Sequence, residues 1–227
     1  MIPWEKLGEA PAPGGGTLTL HRRGHEYSIR VDGKDLMGNR QHGSEDALAQ
    51  LGCEGLKDVP RARVLIGGLG MGFSLRAALD VLRPDAKVEI AELVPAVVAW
   101  NRGPLSPLAG DPLHDKRVEV HEGDVVPRIA AARARYHAIL LDVDNGPDAL
   151  TSPGNARLYG AAGLHSAGTA LIPGGTLAIW SAEDDARFTA RLERAGFRVR
   201  VERVLARHNG TKRGGKRHVL WLAQRPV

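Results

Sequence analysis

The chain has 227 residues, a formal net charge of +5, a hydrophobic fraction of 43%, a charged fraction of 25% and only 4% aromatic residues. This length is enough for one α/β domain with a full core and a small appendage, and it argues against two large domains. The composition is ordinary for a soluble globular protein whose core is filled by aliphatic and Ala side chains.

The N-terminal residues lack the basic start and apolar run of a secretory signal, so export by that route is not indicated. The most apolar stretch, residues 158–180, is interrupted by His165, Pro173 and paired glycines, which argues against a membrane span. Cys53 is the only cysteine, so no internal disulfide can form and a buried or half-buried thiol is expected. These features favour a cytoplasmic protein without a membrane partner.

Residues 1–60 are predicted to form an N-terminal arm and a small β-hairpin region. Residues 1–16 end in PAPGGG, a composition that indicates a mobile arm. Two runs of strand-forming residues, 17–21 and 25–31, are separated by RRG and predict the hairpin. The signals up to Pro60 are mixed, although Ser44 is placed to cap a short helix.

Strand and helix patterns alternate from Arg63 onward. The predicted strands are RVLIG, KVEIAE, RVEVHE, HAILLD and GTLAIWS. Such alternation predicts a parallel sheet with helices on both faces. The last two strands, FRVRVERVLA and RHVLWLAQ, are joined by a segment too short for a crossover helix and are predicted to pair antiparallel. We therefore predict that residues 61–227 form a class I methyltransferase-like doubly wound α/β sheet, mostly parallel with an antiparallel C-terminal pair.

A glycine-rich turn follows the first of these strands. It contains Gly67, Gly68, Gly70 and Gly72, and the last three have the spacing GxGxG. Glycine allows the backbone to turn tightly and to approach a ligand closely. Phe73 stands where the dinucleotide pattern GxGxxG needs a glycine, so NAD is disfavoured. The alternative is a tight strand-to-helix connection without a ligand.

Carboxylates end the second and third strands. Glu92 follows the glycine turn at the separation at which a carboxylate can accept hydrogen bonds from both hydroxyls of a ribose. Asp124 is placed to meet the amino edge of an adenine together with neighbouring backbone amides. Asp124 is alternatively a helix N-cap, and capping can coexist with binding.

The fourth strand ends in Asp142, with Asp144 close behind it. Two carboxylates at a strand end can gather a cationic amine and accept its proton before the amine attacks a carbon. The alternative for Asp142 is a loop cap, and the role of Asp144 is less defined. No His or Cys arrangement has the spacing of metal ligands, so no metal is predicted.

The ordered motifs VLIGGLGMG, VEIAEL, GD, ILLDVDNGP, LY and LIPGG resemble the spermidine synthase family, the polyamine aminopropyltransferases, over roughly residues 17–181. The resemblance implies that Glu92 holds the ribose of the donor, that Asp124 holds the adenine and that Asp142 is the base that prepares the amine. It also implies a homodimer formed through the N-terminal β region.

Two features depart from the family pattern. Gly70 stands where the family has an aspartate that meets the aminopropyl amine. The family's polyamine-binding Tyr and Glu are missing, and this region carries His42, Glu45 and Asp46 instead. We therefore predict a transferase that moves an aminopropyl or methyl group from decarboxylated or ordinary S-adenosylmethionine to a small amine or another nucleophile.

Other functions stay open at this point. A basic segment near the C-terminus carries Lys212, Arg213, Lys216 and Arg217 and can meet RNA phosphates. An S-adenosylmethionine-dependent methyltransferase acting on RNA, or a nucleic-acid-binding module with a vestigial pocket, is the alternative. The departures from the family pattern also allow a catalytically silent partner subunit.

Overall fold

The computed structural model describes residues 2–143, 157–206 and 216–227. The strands in these ranges form two sheets, an antiparallel sheet of four strands followed by a mostly parallel sheet of seven. No helix within the same ranges combines the length and the apolar character needed to cross a bilayer.

The N-terminal sheet has the order β1-β2-β3-β4, and every neighbouring pair is antiparallel. Its strands are β1 (Glu5–Pro11), β2 (Thr17–Arg23), β3 (Glu26–Val31) and β4 (Lys34–Gly38). The predicted hairpin corresponds to β2 and β3 and is confirmed, with Leu18 opposite Val31. The predicted β region was too small, because β1 and β4 extend the hairpin on both sides.

The expectation of a mobile arm over residues 1–16 is wrong where β1 forms. This strand pairs with β2 along its length, so β2 satisfies the backbone groups that face it. Gly8 also lies directly against Trp100, which belongs to the helix Pro95–Arg102. A Cβ built on Gly8 would come within 2.4 Å of Trp100 Nε1. Hydrophobic patterning missed the strand because its stability depends on this partner and not on its own apolar residues.

A tight turn at Asp32 and Gly33 joins β3 to β4. Both residues have left-handed backbone angles, with φ of 48° and 79°, as the two-residue turn of a hairpin requires. Asp32 Oδ1 also accepts a hydrogen bond of 2.8 Å from Thr17 N at the start of β2. The turn thus directs β4 back along the sheet.

The large sheet has the order β10-β11-β9-β8-β5-β6-β7. Its strands are β5 (Arg63–Gly67), β6 (Lys87–Glu92), β7 (Val118–Glu122), β8 (Tyr136–Leu141), β9 (Leu171–Ser181), β10 (Arg198–Leu205) and β11 (Arg217–Gln224). Strands β5 to β9 are parallel, and β11 pairs antiparallel with both β9 and β10. The predicted mostly parallel sheet with an antiparallel C-terminal pair is confirmed.

Helices cover both faces of this sheet. They are α1 (Gly43–Gly52), α2 (Phe73–Val81), α3 (Pro95–Arg102), α4 (Val125–Ala131), α5 (Ala161–Ala170) and α6 (Ala186–Arg194), and short 3-10 helices span Glu54–Leu56, Ser106–Ala109 and Pro112–His114. A hydrophobic core lies on each face of the sheet. In the interior strand β5, Val64 and Ile66 pack into one core and Leu65 packs into the other. Such alternation is the period of a strand buried on both faces.

Helix α1 packs on α2 and on β9 of the large sheet. It begins at Gly43 with His42 as its N-cap residue, and no side chain caps it. The prediction that Ser44 caps this helix is therefore wrong, because Ser44 lies inside the first turn and is buried.

The single thiol, Cys53, is buried as expected, and burial raises its pKa to about 12. The division into residues 1–60 and 61–227 stays a prediction.

We expect Gly8→Val to destabilise the protein by about 1–3 kcal/mol, because the new side chain would overpack the buried Trp100 indole. Thermal unfolding should show a Tm several degrees lower than that of the wild type. The control is Gly14→Val, since a Cβ on Gly14 meets nothing within 4 Å. Equal Tm values for the two variants would contradict the packing of β1 against Trp100.

Candidate functional site

One cavity of about 1140 Å³ lies between the N-terminal sheet and the carboxyl ends of four adjacent strands, β8, β5, β6 and β7. Gly68, Glu92, Asp124 and Asp142 all line it. The residues that the sequence placed at four separate strand ends therefore meet around a single space. Clefts at this edge of an open α/β sheet are the usual ligand sites of such folds.

The glycine turn has the geometry that the sequence indicated. Gly68, Gly70 and Gly72 have φ of 88°, 53° and 85°, all left-handed. A Cβ on Gly68 would come within 2.3 Å of the Asp142 carbonyl oxygen, so glycine is required where the turn passes the end of β8. Gly68 and Gly70 line the cavity, whereas Gly67 ends β5 and Gly72 precedes α2, and neither is among the lining residues.

Asn101, on α3, is hydrogen-bonded to this turn. Its Nδ2 donates hydrogen bonds of 2.8 Å to the carbonyl oxygen of Gly70 and 2.9 Å to that of Val97. The side chain is 1% exposed, so both contacts are shielded from water. Sequence reasoning missed this residue, because an Asn in a helix carries no signal of which loop it will contact.

Glu92 ends β6 and is buried at the cavity wall. Its Oε2 accepts a hydrogen bond of 2.8 Å from Leu69 N in the glycine turn, and its Oε1 accepts one of 2.8 Å from Val94 N. Burial raises the pKa of Glu92, while the backbone amides act in the opposite direction. Each carboxylate oxygen keeps further acceptor capacity, so the group can also accept hydrogen bonds from two hydroxyl groups of a ligand.

Asp124 caps α4, as its alternative interpretation stated. Its Oδ1 accepts a hydrogen bond of 2.9 Å from Val126 N. Its Oδ2 lies 3.7 Å from a guanidinium nitrogen of Arg157, an exposed cavity-lining residue that the sequence analysis did not single out. Capping leaves Asp124 at the cavity, so the structure allows both roles.

Asp142 follows β8 and points its carboxylate at α2. The hydroxyl of Ser74 donates a hydrogen bond of 2.9 Å to Asp142 Oδ2. Burial, together with the negative charge of Glu92, raises the pKa of Asp142 to about 6. A carboxylate with a pKa near neutrality is a better proton acceptor than an ordinary aspartate. Asp144, its predicted companion, lies outside the described residues.

Glu45 is a second carboxylate on the same part of the cavity. It lies in the first turn of α1 and lines the cavity with Asp142. The Ser74 hydroxyl is 3.3 Å from the Glu45 carbonyl oxygen, which places the two acidic residues on either side of one serine. Burial and the charge of Asp142 raise the pKa of Glu45 to about 7. Sequence reasoning noted Glu45 only as a departure from a family pattern, because it could not tell which face of α1 meets the sheet.

Apolar groups form the rest of the wall. Leu93, directly after Glu92, is 53% exposed, and Leu36 on β4 is 48% exposed; both line the cavity. Met37 covers Gly70, with its sulfur 3.4 Å from a Cβ built there. Large apolar side chains left open to a cavity provide a surface that a flat ligand ring can cover.

Three aromatic residues, His42, Tyr159 and Trp180, differ in how they lie relative to this cavity. His42 stacks on Phe73 with ring centroids 4.0 Å apart and borders a separate, shallower cavity. Tyr159 is buried in the core, whereas Trp180 lines the large cavity. No group of three or more His, Cys, Asp or Glu side chains is placed to hold a metal within the part of the chain that the structure describes.

The strand order and the antiparallel C-terminal pair define a class I methyltransferase-like α/β protein with an added N-terminal sheet. More particularly, the fold is spermidine synthase-like. A spermidine synthase in complex with the transition-state analogue AdoDATO is similar at a TM-score of 0.76 and 16% identity, covering 98% of this chain and 74% of that one. The spermidine synthase of Thermotoga maritima is similar at 0.74 and 16%, covering 98% and 73%.

A probable spermidine synthase from Corynebacterium glutamicum ATCC 13032 is also similar, at a TM-score of 0.67 and 13% identity, covering 97% of this chain and 79% of that one. No protein-family model and no curated protein sequence matches the chain. At these identities the likeness is one of fold, and any activity has to be argued from the site.

We expect the contribution of Asp142 to the stability of the ligand-free protein to fall as pH rises from about 4 to about 6, because unfolding restores the ordinary pKa of this residue. The folded state then binds more protons than the unfolded state, so raising the pH favours unfolding. Asp142→Asn should remove this pH dependence. At pH 8 its free energy of unfolding should exceed that of the wild type by on the order of 1–3 kcal/mol, so it should melt at a higher temperature, and at pH 4 the two proteins should differ little.

Thermal melts across this pH range measure the effect. The control is Asp80→Asn on α2, whose side chain is 63% exposed. A wild type and an Asp142→Asn variant with parallel Tm profiles would refute the raised pKa.

Proposed function

We propose that the chain is an alkyltransferase that binds a sulfonium nucleoside, decarboxylated or ordinary S-adenosylmethionine, and transfers an alkyl group to a small amine. The observation that carries this proposal is the convergence of the glycine turn, Glu92 and Asp142 on one cavity. The first two features suit a nucleoside, and the third suits removal of a proton from a nucleophile.

The donor's nucleoside fits the residues at the ends of β5, β6 and β7. Glu92 offers acceptor capacity on both oxygens, which suits the two hydroxyls of a ribose. The turn at Gly68 and Gly70 lets the backbone come close to the sugar. Leu93 supplies an exposed apolar wall for the base, and Asp124 supplies an acceptor for its amino group.

When bound, the donor supplies an electrophilic carbon beside a positively charged sulfur, which leaves as a neutral thioether. Asp142 accepts one proton from the acceptor's ammonium group, and the freed lone pair of the nitrogen forms the new bond to carbon while the carbon–sulfur bond breaks. The protein contributes mainly by alignment, which can supply roughly 7–11 kcal/mol for well-oriented reactants.

The charges around the inner part of the cavity favour a cationic acceptor and a donor without a carboxylate. Glu45, Glu92 and Asp142 bring three acidic groups to this space. Lys216 lines the same cavity, but it is exposed, so water screens its positive charge from the three acidic groups. An aminopropyl donor is more positive than ordinary S-adenosylmethionine, so it is the better match for this excess of carboxylates.

A second candidate is methyl transfer from ordinary S-adenosylmethionine, and Gly70 favours it. Gly70 has no side chain, and Met37 covers it with a thioether. No carboxylate therefore comes from this position to hold a donor's amine. The alternative in which RNA is the acceptor depends on the basic segment that includes Lys212 and Arg213, and both lie outside the described residues. The homodimer stays a prediction.

Calorimetry with decarboxylated and ordinary S-adenosylmethionine tests the donor site. We expect one of them to bind, and Glu92→Gln to weaken that binding by about 10-fold to 100-fold, because hydrogen bonds to a charged group are worth about 1.5–3 kcal/mol. The control is Glu122→Gln at the end of the neighbouring β7, whose side chain is 44% exposed and does not line the cavity. The donor that binds more tightly decides between the two candidates, and no binding of either would remove the proposal.

Turnover with short primary amines tests the acceptor chemistry. We expect Asp142→Asn to lower kcat by about 10²–10⁴-fold, the usual contribution of a general base, with a much smaller effect on the donor Kd. Formation of the thioether nucleoside is the measurement, and Asp80→Asn is the control. Full activity of Asp142→Asn would contradict its role as base. A wild type that binds the donor but alkylates no amine would support the silent-subunit alternative.

A further inference from the structure

A buried polar pair lies next to Glu45. The hydroxyl oxygen of Ser44, on α1, is 2.9 Å from Nδ1 of His218, on β11. Ser44 is fully buried and His218 is 8% exposed. Burying polar groups costs free energy unless they are hydrogen-bonded, so the pair has to be satisfied within the protein. The donor and base roles described above do not use either residue.

The hydrogen bonds of this pair lead to Glu45. The Ser44 hydroxyl is 2.6 Å from Glu45 Oε2, to which it donates its only proton. The bond is short, as expected when the acceptor is charged. With that proton used, Nδ1–H of His218 has to donate to the Ser44 oxygen. The ring is neutral, since burial and the nearby Lys216 lower the pKa of His218 to about 4.

The same chain of atoms can hold Glu45 when it is protonated. The carboxylic acid then donates to the Ser44 oxygen, Ser44 donates to Nδ1 of His218, and the histidine carries its proton on Nε2. The distances need not change, because only the direction of the hydrogen bonds reverses. The position of Glu45 is therefore independent of its charge, which suits a carboxylate beside a proton-accepting Asp142.

His218 is itself fixed by the cavity wall. Its ring packs edge-on against Trp180, with ring centroids 4.7 Å apart and planes at 71°. Both residues line the cavity. The antiparallel strand β11 thus reaches the site that the parallel strands form, through His218, Ser44 and Glu45.

We propose that Ser44 and His218 are positioning residues that hold the Glu45 carboxylate toward the cavity, where it and Asp142 bind the acceptor's ammonium group together. This inference rests on the proposed function, in which the acceptor is a small amine. An ammonium group has three N–H donors. After one proton passes to Asp142, a remaining N–H stays bonded to Glu45 and the lone pair is free to attack.

The test compares acceptor binding with donor binding. Calorimetry with diaminobutane and with butylamine, in the presence of the thioether nucleoside product, measures the acceptor step without turnover. We expect Glu45→Gln to weaken amine binding by about 10-fold to 100-fold and to weaken donor binding by much less. Asp46→Asn is the control and should bind amine normally, because Asp46 lies on the same helix turn but is bonded to His42 and does not line the large cavity.

The positioning role has its own readout. His218→Leu removes the donor at Nδ1 and should weaken amine binding by about tenfold, as the loss of one hydrogen bond near a charge predicts. His218→Asn should restore most of it, because the Asn amide can donate from nearly the same place. Ser44→Ala should resemble His218→Leu. A purely structural histidine would instead lower Tm and weaken donor and amine together.

The outcomes separate the two levels of inference. Failure of both donors to bind the wild type overturns the proposed function and this inference with it. Normal donor binding and amine turnover, with unchanged amine affinity in Glu45→Gln and His218→Leu, overturns only the roles of Glu45, Ser44 and His218. A parallel loss of donor and amine affinity in His218→Asn would also overturn them.

Discussion

The carboxylate of Glu92 is the interaction on which the site depends. It joins the end of β6 to the glycine turn after β5 through Leu69 N, and it closes the next turn through Val94 N. Because these strands are parallel neighbours, one acidic side chain sets the shape of two adjacent loops at once. Removing it would leave buried backbone donors unpaired, and the adjoining wall of the cavity would lose its shape.

Burying the neighbouring carboxylates lowers the stability of the folded protein. Burial raises the pKa of Glu45, Glu92 and Asp142, so their charged forms are less stable in the folded protein than in water. The large aliphatic cores on both faces of the sheet supply the compensating free energy. Acidic groups gathered at a strand edge at such a cost are characteristic of binding and catalytic sites.

Local patterns predicted most of the large sheet. The alternation of apolar strands with helices was enough for β5 to β9, and the short connection before β11 was enough for its antiparallel pairing. The errors were at the N-terminus, where β1 depends on Trp100 and Ser44 is buried instead of capping α1. The Asp32–Gly33 turn is a strong hairpin signal and could have revealed β4.

The sequence by itself determined the class of fold and the candidates Gly68, Glu92, Asp124 and Asp142, because in parallel sheets the end of each strand falls on the same edge. Only the tertiary structure decided that Asn101, Glu45, Ser44 and His218 join them. Those residues come from helices and from the antiparallel strand, and their contacts depend on how whole elements pack together. His218 and Ser44 are 174 positions apart in the chain, and no local pattern of charge or hydrophobicity carries information over that separation.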